Sequence, residues 1–277
     1  MTNQFQQQQP TKENRKDFSN VDLNNPESLI NYLQYIYEEP YTNNITRKVN
    51  SDLGLCNGDK VLDVGCGYGK DLKGYHYRVG CKGEVVGIDN STSMINHAKR
   101  QYESDESYSN IKLMVASADD IPFPASYFDV SRTERVMQHV PDPAKMLDEM
   151  IRVTKNGGLV SVTDTDWDSS RLYVPERLRS VRDRIFSARF NANPGMGSEL
   201  FSMMNPRLER VKVRGIVLQA TSFEFANRML MLNERAKRAI EQRSITQEEY
   251  DDWLSTMIDL DKQGKFYHSA NYISVRG

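Results

Sequence analysis

The sequence predicts a doubly wound α/β fold built on a mostly parallel sheet, and three observations carry that expectation. Short apolar runs recur along the chain, each followed by a stretch with helical spacing, the alternation that buries a parallel sheet between helices. The run Val61-Leu62-Asp63-Val64 leads into a three-glycine turn, Gly65-Cys66-Gly67-Tyr68-Gly69. Glycines at alternate positions permit positive φ and let the main chain approach a ligand with no Cβ in the way. A second apolar run, Glu84-Val85-Val86-Gly87-Ile88, ends at Asp89, twenty positions past Gly69. In a βαβ unit that distance brings an acid to the ribose of a nucleoside lying over the first turn. The glycine spacing is not the Gly-x-Gly-x-x-Gly that cradles a pyrophosphate, which disfavours a nicotinamide dehydrogenase.

The remaining elements follow in order. Pro26 opens a stretch in which Leu29, Tyr32 or Leu33, and Ile36 recur at helical spacing. Ser91-Thr92 caps a helix carrying Met94, Ile95 and Ala98. A third strand runs from Ile111 to Val115 into Ser117-Ala118-Asp119-Asp120-Ile121-Pro122-Phe123, and a fourth, Phe128 to Arg132, precedes Glu134-Arg135-Val136-Met137-Gln138-His139-Val140. Asp142-Pro143 starts a helix with Met146, Leu147, Met150 and Val153 on one face, and the turn Lys155-Asn156-Gly157-Gly158 leads into a fifth strand that ends near Asp164-Thr165-Asp166-Trp167-Asp168. Leu172 to Phe190 offers Leu178, Val181, Ile185 and Phe186 as one stripe, and a further helix carries Leu200, Phe201, Met203 and Met204. Val211 to Phe223 reads as the sixth strand, residues 224 to about 262 as two helices joined near Ser244-Ile245-Thr246, and Tyr267 to Val275 as the last strand.

Composition narrows the function classes. The 277 residues carry 38% hydrophobic residues and a mean hydropathy of −0.65, and no stretch approaches the roughly 18 apolar residues of a membrane span. The amino terminus shows no charged-then-apolar leader, and the three cysteines, Cys56, Cys66 and Cys81, form no metal-ligand spacing. They read as reduced thiols, so a cytoplasmic protein without a metal or a membrane partner is expected. A net charge of −2 gives no global pull toward nucleic acid. Between Arg171 and Arg243, however, fifteen Lys or Arg face seven Asp or Glu; solvated helix faces account for such an excess, and a pocket for an acidic substrate is the alternative. Residues 1–25, with four consecutive glutamines and few apolar groups, are expected to be disordered or loosely attached, leaving 26–277 as a single domain. Two insertions, about 168–205 and 224–262, fall on the face where doubly wound sheets bind ligands and read as a helical substrate cap.

Taken together, the ordered motifs from Val61 to about Trp167 resemble a class I S-adenosylmethionine-dependent methyltransferase, of the broad group that includes small-molecule enzymes. The resemblance covers about 110 of the 277 residues. It implies a seven-stranded sheet with the cofactor over the carboxyl ends of the first strands and the last strand antiparallel to its neighbours. By position, Asp63, Gly65, Cys66, Gly67 and Gly69 would surround the methionine part, Asp89 with Asn90 would take the ribose, and Ser117, Ala118 and Asp119 would meet the adenine edge. Arg132 to Glu134 would close over the methionine end. Asn156 stands where the family usually has proline, and Ser117 replaces the commoner aspartate, so Asp119 becomes the alternative partner of the adenine amine. The segment 26–55 would form a helical lid, or else a helix packed on the sheet edge, with Tyr37 and Tyr41 as its candidate substrate contacts.

The chemistry implied is methyl transfer to a small organic acceptor, a specialised metabolite among the candidates, with S-adenosylmethionine as the donor. His139 is the candidate general base, because it follows the fourth strand and an imidazole titrates near working pH; a plain hydrogen bond to backbone is the alternative. Asp164 and Asp166 would orient His139, bind the acceptor or cap a helix, and Trp167 would wall the substrate pocket or pack in the core. Competing classes are a cofactor-binding protein without methyl transfer and an enzyme acting on a macromolecule. The chain lacks an Asn/Asp-Pro-Pro-aromatic tetrapeptide of the kind that base-amine methylating enzymes carry.

Overall fold

In a computed structural model, which describes Phe18 and residues 21–23, 25–187 and 191–277, seven strands form one sheet in the order β3-β2-β1-β4-β5-β7-β6. β1 (Lys60–Val64), β2 (Glu84–Asp89), β3 (Ile111–Val115), β4 (Phe128–Glu134) and β5 (Thr154–Leu172) run parallel. β7 (His268–Arg276) enters antiparallel between β5 and β6 (Lys212–Ala220). Parallel strands covered on both faces need apolar side chains pointing both ways, and β1 shows how the alternation is used. Leu62 and Val64 point into a core with Met146, Leu147 and Met150 of α5 (Pro143–Val153) and Met196, Leu200 and Met204 of α7 (Met196–Met204). Val61 points to the other face, against Leu72, Tyr75 and Val79 of α3 (Leu72–Val79) and Tyr102 of α4 (Thr92–Tyr102).

Sequence chemistry accounts for the helix starts. Asn25 accepts a hydrogen bond from the Ser28 N–H at 3.1 Å with Pro26 in the first turn, opening α1 (Pro26–Glu38). Glu39 and Pro40 end that helix and open α2 (Pro40–Ser51). Ser91 caps α4 through the Met94 N–H at 3.1 Å. Asp22 adds a second tie there: its carboxylate accepts from Ser91 Oγ and from the N–H groups of Thr92 and Ser93, anchoring residues 21–23 at the amino end of α4. The hydrogen bonds and the favourable helix end hold the Asp22 pKa below its ordinary value although burial alone would raise it. Of the amino-terminal 25 residues, 1–17, 19, 20 and 24 lie outside the described residues, whereas Phe18, Val21 and Leu29 pack together with Tyr68 and Met94.

Three boundaries differ from expectation. β5 continues through Asp164–Asp168 to Leu172, because β7 pairs with its outer half at Arg171 and Leu172 beyond an irregularity at Asp166. The stretch after it forms α6 (Arg179–Ser187), and α7 packs on the sheet core rather than beside α6. Residues 223–262 form three helices, α8 (Phe223–Leu230), α9 (Leu232–Glu241) and α10 (Gln247–Lys262), since Met231 adopts a left-handed conformation (φ 55°) and breaks the first in two. α6, α8, α9 and α10 share a third core with Ile36 of α1, Ile45 and Val49 of α2, Leu218 of β6 and Tyr272 of β7. This helical layer packs on Leu172 at the carboxyl end of β5 and on Leu218 and Ala220 at that of β6. Among the described residues no helix is long and apolar enough to cross a membrane.

Candidate active site

A cavity of about 460 Å³ opens at the carboxyl ends of β1, β2 and β4. Its floor is the glycine turn. Gly65, Gly67 and Gly69 all have positive φ, and at Gly65 (φ 71°) a Cβ would lie 2.3 Å from Val136 Cγ2. Only glycine therefore lets β1 and the segment after β4 approach so closely. The N–H groups of Gly65 and Cys66 both donate to the Ile88 carbonyl, at 2.8 and 2.9 Å, which ties the turn to the end of β2. Asp89 sits there with one carboxylate oxygen accepting from the Gly67 N–H and the other from the Ser91 N–H, both at 2.9 Å. Burial raises its pKa above the ordinary carboxylate value, although these two hydrogen bonds work the other way.

The cavity wall includes Asp63, Gly65, Cys66, Gly67, Asp89, Asn90, Ser117, Ala118, Asp119, Arg132 and Glu134, eleven of the twelve positions expected to hold the cofactor. Gly69 is the exception. It lies behind the wall, where its carbonyl accepts from Tyr102 Oη at 2.7 Å and a Cβ would press on Ala98 and Tyr102. Asp119 is tied by a short hydrogen bond from Ser117 Oγ and faces Lys145 Nζ at 3.7 Å.

Part of the wall is a buried ionic cluster. Arg132 donates to Asp63 at 2.9 Å, to Asn50 at 3.2 Å and to Glu134, and Asp71 lies 3.8 Å away. Glu134 also accepts from Thr46 at 3.1 Å and from Tyr272 at 2.5 Å. One guanidinium serves three carboxylates, and they do not share it equally. Burial would raise Glu134, but Arg132 and Arg135 hold its pKa below the ordinary value. Burial pushes Asp63 up to about 6 in spite of Arg132, and it raises Asp71 as well. Arg132 and Glu134 are therefore engaged with each other and with the fold before any ligand arrives.

The far end of the cavity is walled by Tyr32, Tyr37, Arg135, Gln138, His139, Trp167, Asn191, Met229, Leu230, Met231 and Arg235. Tyr37 carries two cations on its ring, Lys70 Nζ at 3.7 Å and the Arg135 guanidinium carbon at 4.4 Å from the centroid. Burial pushes its phenol up to about 12, with the pull of Arg135 acting against the rise. Trp167 donates its indole N–H to Gln138 Oε1 at 2.5 Å, fixing both side chains at the wall. His139 is half-buried, with its ring centroid 5.4 Å from that of Phe18. Asp164 accepts from the Gln138 N–H at 3.1 Å and from the Thr165 N–H at 3.0 Å, so it holds the turn that presents Gln138 and His139.

Two expected substrate contacts lie elsewhere. Tyr41 points away from the cavity and donates a hydrogen bond to the Val217 carbonyl on β6. Asp166 is buried outside the wall, and its Oδ1 has no hydrogen-bond partner among the described residues. The sequence reading also missed several wall residues. Tyr68 lies inside the glycine turn and Lys70 and Asp71 immediately follow it, and that adjacency is a signal that could have found them. Arg135 and Gln138 flank the same run as His139. Met229 and Met231 are of a type that suits an adaptable apolar pocket and do line the cavity, whereas Arg235 carries no local signal and reaches it only through the packing of α8 and α9.

Asp164 also supplies a pH test. Burial pushes its carboxyl up to about 7. A group raised in the folded state contributes stability below its unfolded pKa and loses it as pH rises through the folded value. The melting-temperature advantage of wild type over Asp164→Asn should therefore shrink as pH rises from 5 to 8. An advantage that grows with pH would contradict the burial of this carboxyl.

Demethylmenaquinone methyltransferase of Staphylococcus aureus is 38% identical over 119 residues, which is 43% of this chain and 48% of that protein. The chain covers only 34% to 48% of the length of the curated relatives it matches. Among solved structures, the YcgJ protein of Bacillus subtilis superposes with a TM-score of 0.58 at 19% identity, covering 84% of this chain and 97% of that one. Phosphoethanolamine N-methyltransferase 2 of Haemonchus contortus gives 0.58 at 20% identity, covering 90% and 57%. At such identities the two structures speak for the fold. A family model described as a methyltransferase domain matches residues 55–202, which run from before β1 into α7 and include the glycine turn, Asp89 and the segment after β4. The chain belongs to this methyltransferase-domain family.

Proposed function

We propose that the protein transfers the methyl group of S-adenosylmethionine to a small organic acceptor, leaving S-adenosylhomocysteine. The observation that carries this reading is the continuity of one cavity. Its glycine-turn end has Asp89 fixed by two backbone N–H groups, and its other end is a chamber of aromatic, apolar and basic side chains. The donor supplies an activated methyl on sulfur; an acceptor lone pair forms the new bond while the carbon–sulfur pair stays with the sulfur. The protein's part is to bind, align and exclude water. Asp89 has lone pairs left to accept from ribose hydroxyls, and the Ser117–Asp119 segment borders the space beside it. Lys70, directly after the glycine turn, suits the donor's carboxylate. His139 stands at the chamber wall, where an imidazole could take a proton from an oxygen or nitrogen acceptor. A chamber enclosed by α1 and the α8–α9 corner favours a small acceptor over a macromolecule.

The test is calorimetry with S-adenosylhomocysteine, followed by incubation of labelled donor with an extract of the source cell to find the compound that gains label. Binding of NAD in preference to S-adenosylhomocysteine, or label transfer to RNA or protein alone, would overturn the proposal. Once an acceptor is in hand, His139→Ala should lower kcat by about tenfold or more with little change in S-adenosylhomocysteine affinity. An unaltered kcat would leave His139 as a wall residue only.

A further inference from the structure

The chamber's charge pattern speaks to the chemistry of the acceptor. Arg135 is a non-glycine residue held at φ 57°, its N–H donating to the Thr163 carbonyl at 2.8 Å, and this left-handed turn directs the chain out of β4. Its side chain lines the cavity, yet the buried Nη2 finds no hydrogen-bond acceptor among the described residues. A covered guanidinium nitrogen without an acceptor is unfavourable unless a ligand supplies one. The guanidinium meets the Tyr37 phenol and feels the Glu134 charge, yet Nη2 itself stays without an acceptor, because the nearby carboxylates accept their hydrogen bonds from other groups. Glu134 is occupied by Arg132, Thr46 and Tyr272, Asp63 by Arg132, and Asp164 by two backbone N–H groups. The second cation on the Tyr37 ring, Lys70, stands beside the glycine turn, whereas Arg135 follows β4 on the side of Gln138 and His139. Across the chamber, the fields of Arg135 and Arg235 both reach the Tyr32 phenol, which donates to the Met229 carbonyl at 3.0 Å. The remaining wall, Trp167, Met229 and Met231, is apolar and accommodating.

We propose that the acceptor is an organic anion: Arg135 receives its carboxylate or comparable oxyanion, and its apolar or aromatic body lies among Tyr32, Trp167, Met229 and Met231. A planar guanidinium presents parallel N–H donors that match an oxyanion and reject the neutral amide of the same shape. The inference rests on the methyl-transfer reading, since it assigns the acceptor's end of that cavity.

The experiment uses the full chain saturated with S-adenosylhomocysteine and compares benzoate with benzamide by ligand-observed NMR titration. Wild type should bind benzoate about tenfold or more tightly than benzamide. Arg135→Gln should abolish that preference, and Arg135→Lys, which keeps the charge but not the fork, should retain part of it. Calorimetry on the same variants should leave S-adenosylhomocysteine affinity within about threefold of wild type, roughly 0.7 kcal/mol. No preference for benzoate in wild type, or a preference that survives in Arg135→Gln, overturns the proposal. A loss of about tenfold or more in S-adenosylhomocysteine affinity in Arg135→Gln also overturns it, because the guanidinium then serves the donor's carboxylate. Failure of wild type to bind S-adenosylhomocysteine at all would instead remove the methyl-transfer reading. The wild-type comparison and Arg135→Lys keep the test intact if Arg135→Gln does not fold.

Discussion

Asp89→Ala is expected to weaken binding of S-adenosylhomocysteine by about 1–3 kcal/mol, a factor of roughly 5 to 150. The carboxylate does two jobs in the free protein: it accepts from the Gly67 N–H on one oxygen and from the Ser91 N–H on the other. Each oxygen keeps a lone pair for a ribose hydroxyl, and alanine would leave those hydroxyls without that partner. The variant also frees two backbone donors, one in the glycine turn and one at the start of α4, so some loss of stability should accompany the loss of affinity. Comparing two ligands separates the effects. Adenosine contains the ribose but not the homocysteine, so its affinity should fall by the same factor as that of S-adenosylhomocysteine. Equal binding of S-adenosylhomocysteine to wild type and variant by calorimetry would remove the ribose from this carboxylate. A fall for S-adenosylhomocysteine with none for adenosine would mean that Asp89 acts only by shaping the turn.

The half of the site that holds Asp89 was legible in the sequence, because its geometry is encoded locally. β1 and β2 are apolar runs, three glycines dictate the backbone between β1 and α3, and the acid stands at a fixed distance along one βαβ unit. The mostly parallel sheet followed from the same alternation, whereas the count of seven strands and the antiparallel β7 were what the family resemblance implied. In the other half Tyr37, His139 and Trp167 reach the wall as expected, but the remaining positions were not legible, for two physical reasons. Some positions depend on pairing far along the chain: Asp164 to Ser170 is a polar run with no strand signature, yet β7, about a hundred residues later, extends β5 through it. Other positions depend on a single backbone break. Tyr37 and Tyr41 sit one turn apart in sequence, but Glu39 caps a new helix by accepting from the Thr42 N–H at 2.8 Å. That change of direction leaves Tyr37 in the cavity and sends Tyr41 to β6. Met231 is a similar case, since a left-handed methionine has no sequence signal, and without it α8 and α9 would not place Met229 and Arg235 at the wall.

Arg132→Met should destabilise the fold more than any other single change considered. Arg132 is 4% exposed, and its partners Asp63 and Glu134 are 2% and 6% exposed, so methionine would leave a cluster of buried carboxylates without its central cation. Removing one partner of a buried pair costs about 3–5 kcal/mol, which for a chain of this size lowers the melting temperature by on the order of 10 °C. The pH dependence tests the cause. In wild type, burial already holds Asp63 up to about 6 and raises Asp71; without the guanidinium both rise further and Glu134 joins them. Groups raised in the folded state stabilise at low pH and lose that contribution as pH rises. The gap between wild type and variant should therefore be widest near pH 8 and should narrow toward pH 5, as the carboxyls take up protons. Adding Asp63→Asn to Arg132→Met should recover part of the loss at pH 8, because one stranded charge is gone. A gap independent of pH, with no recovery in the double variant, would show that Arg132 acts through packing against Tyr75, 5.7 Å from the ring centroid, rather than as the counter-ion that lets three acids share the interior.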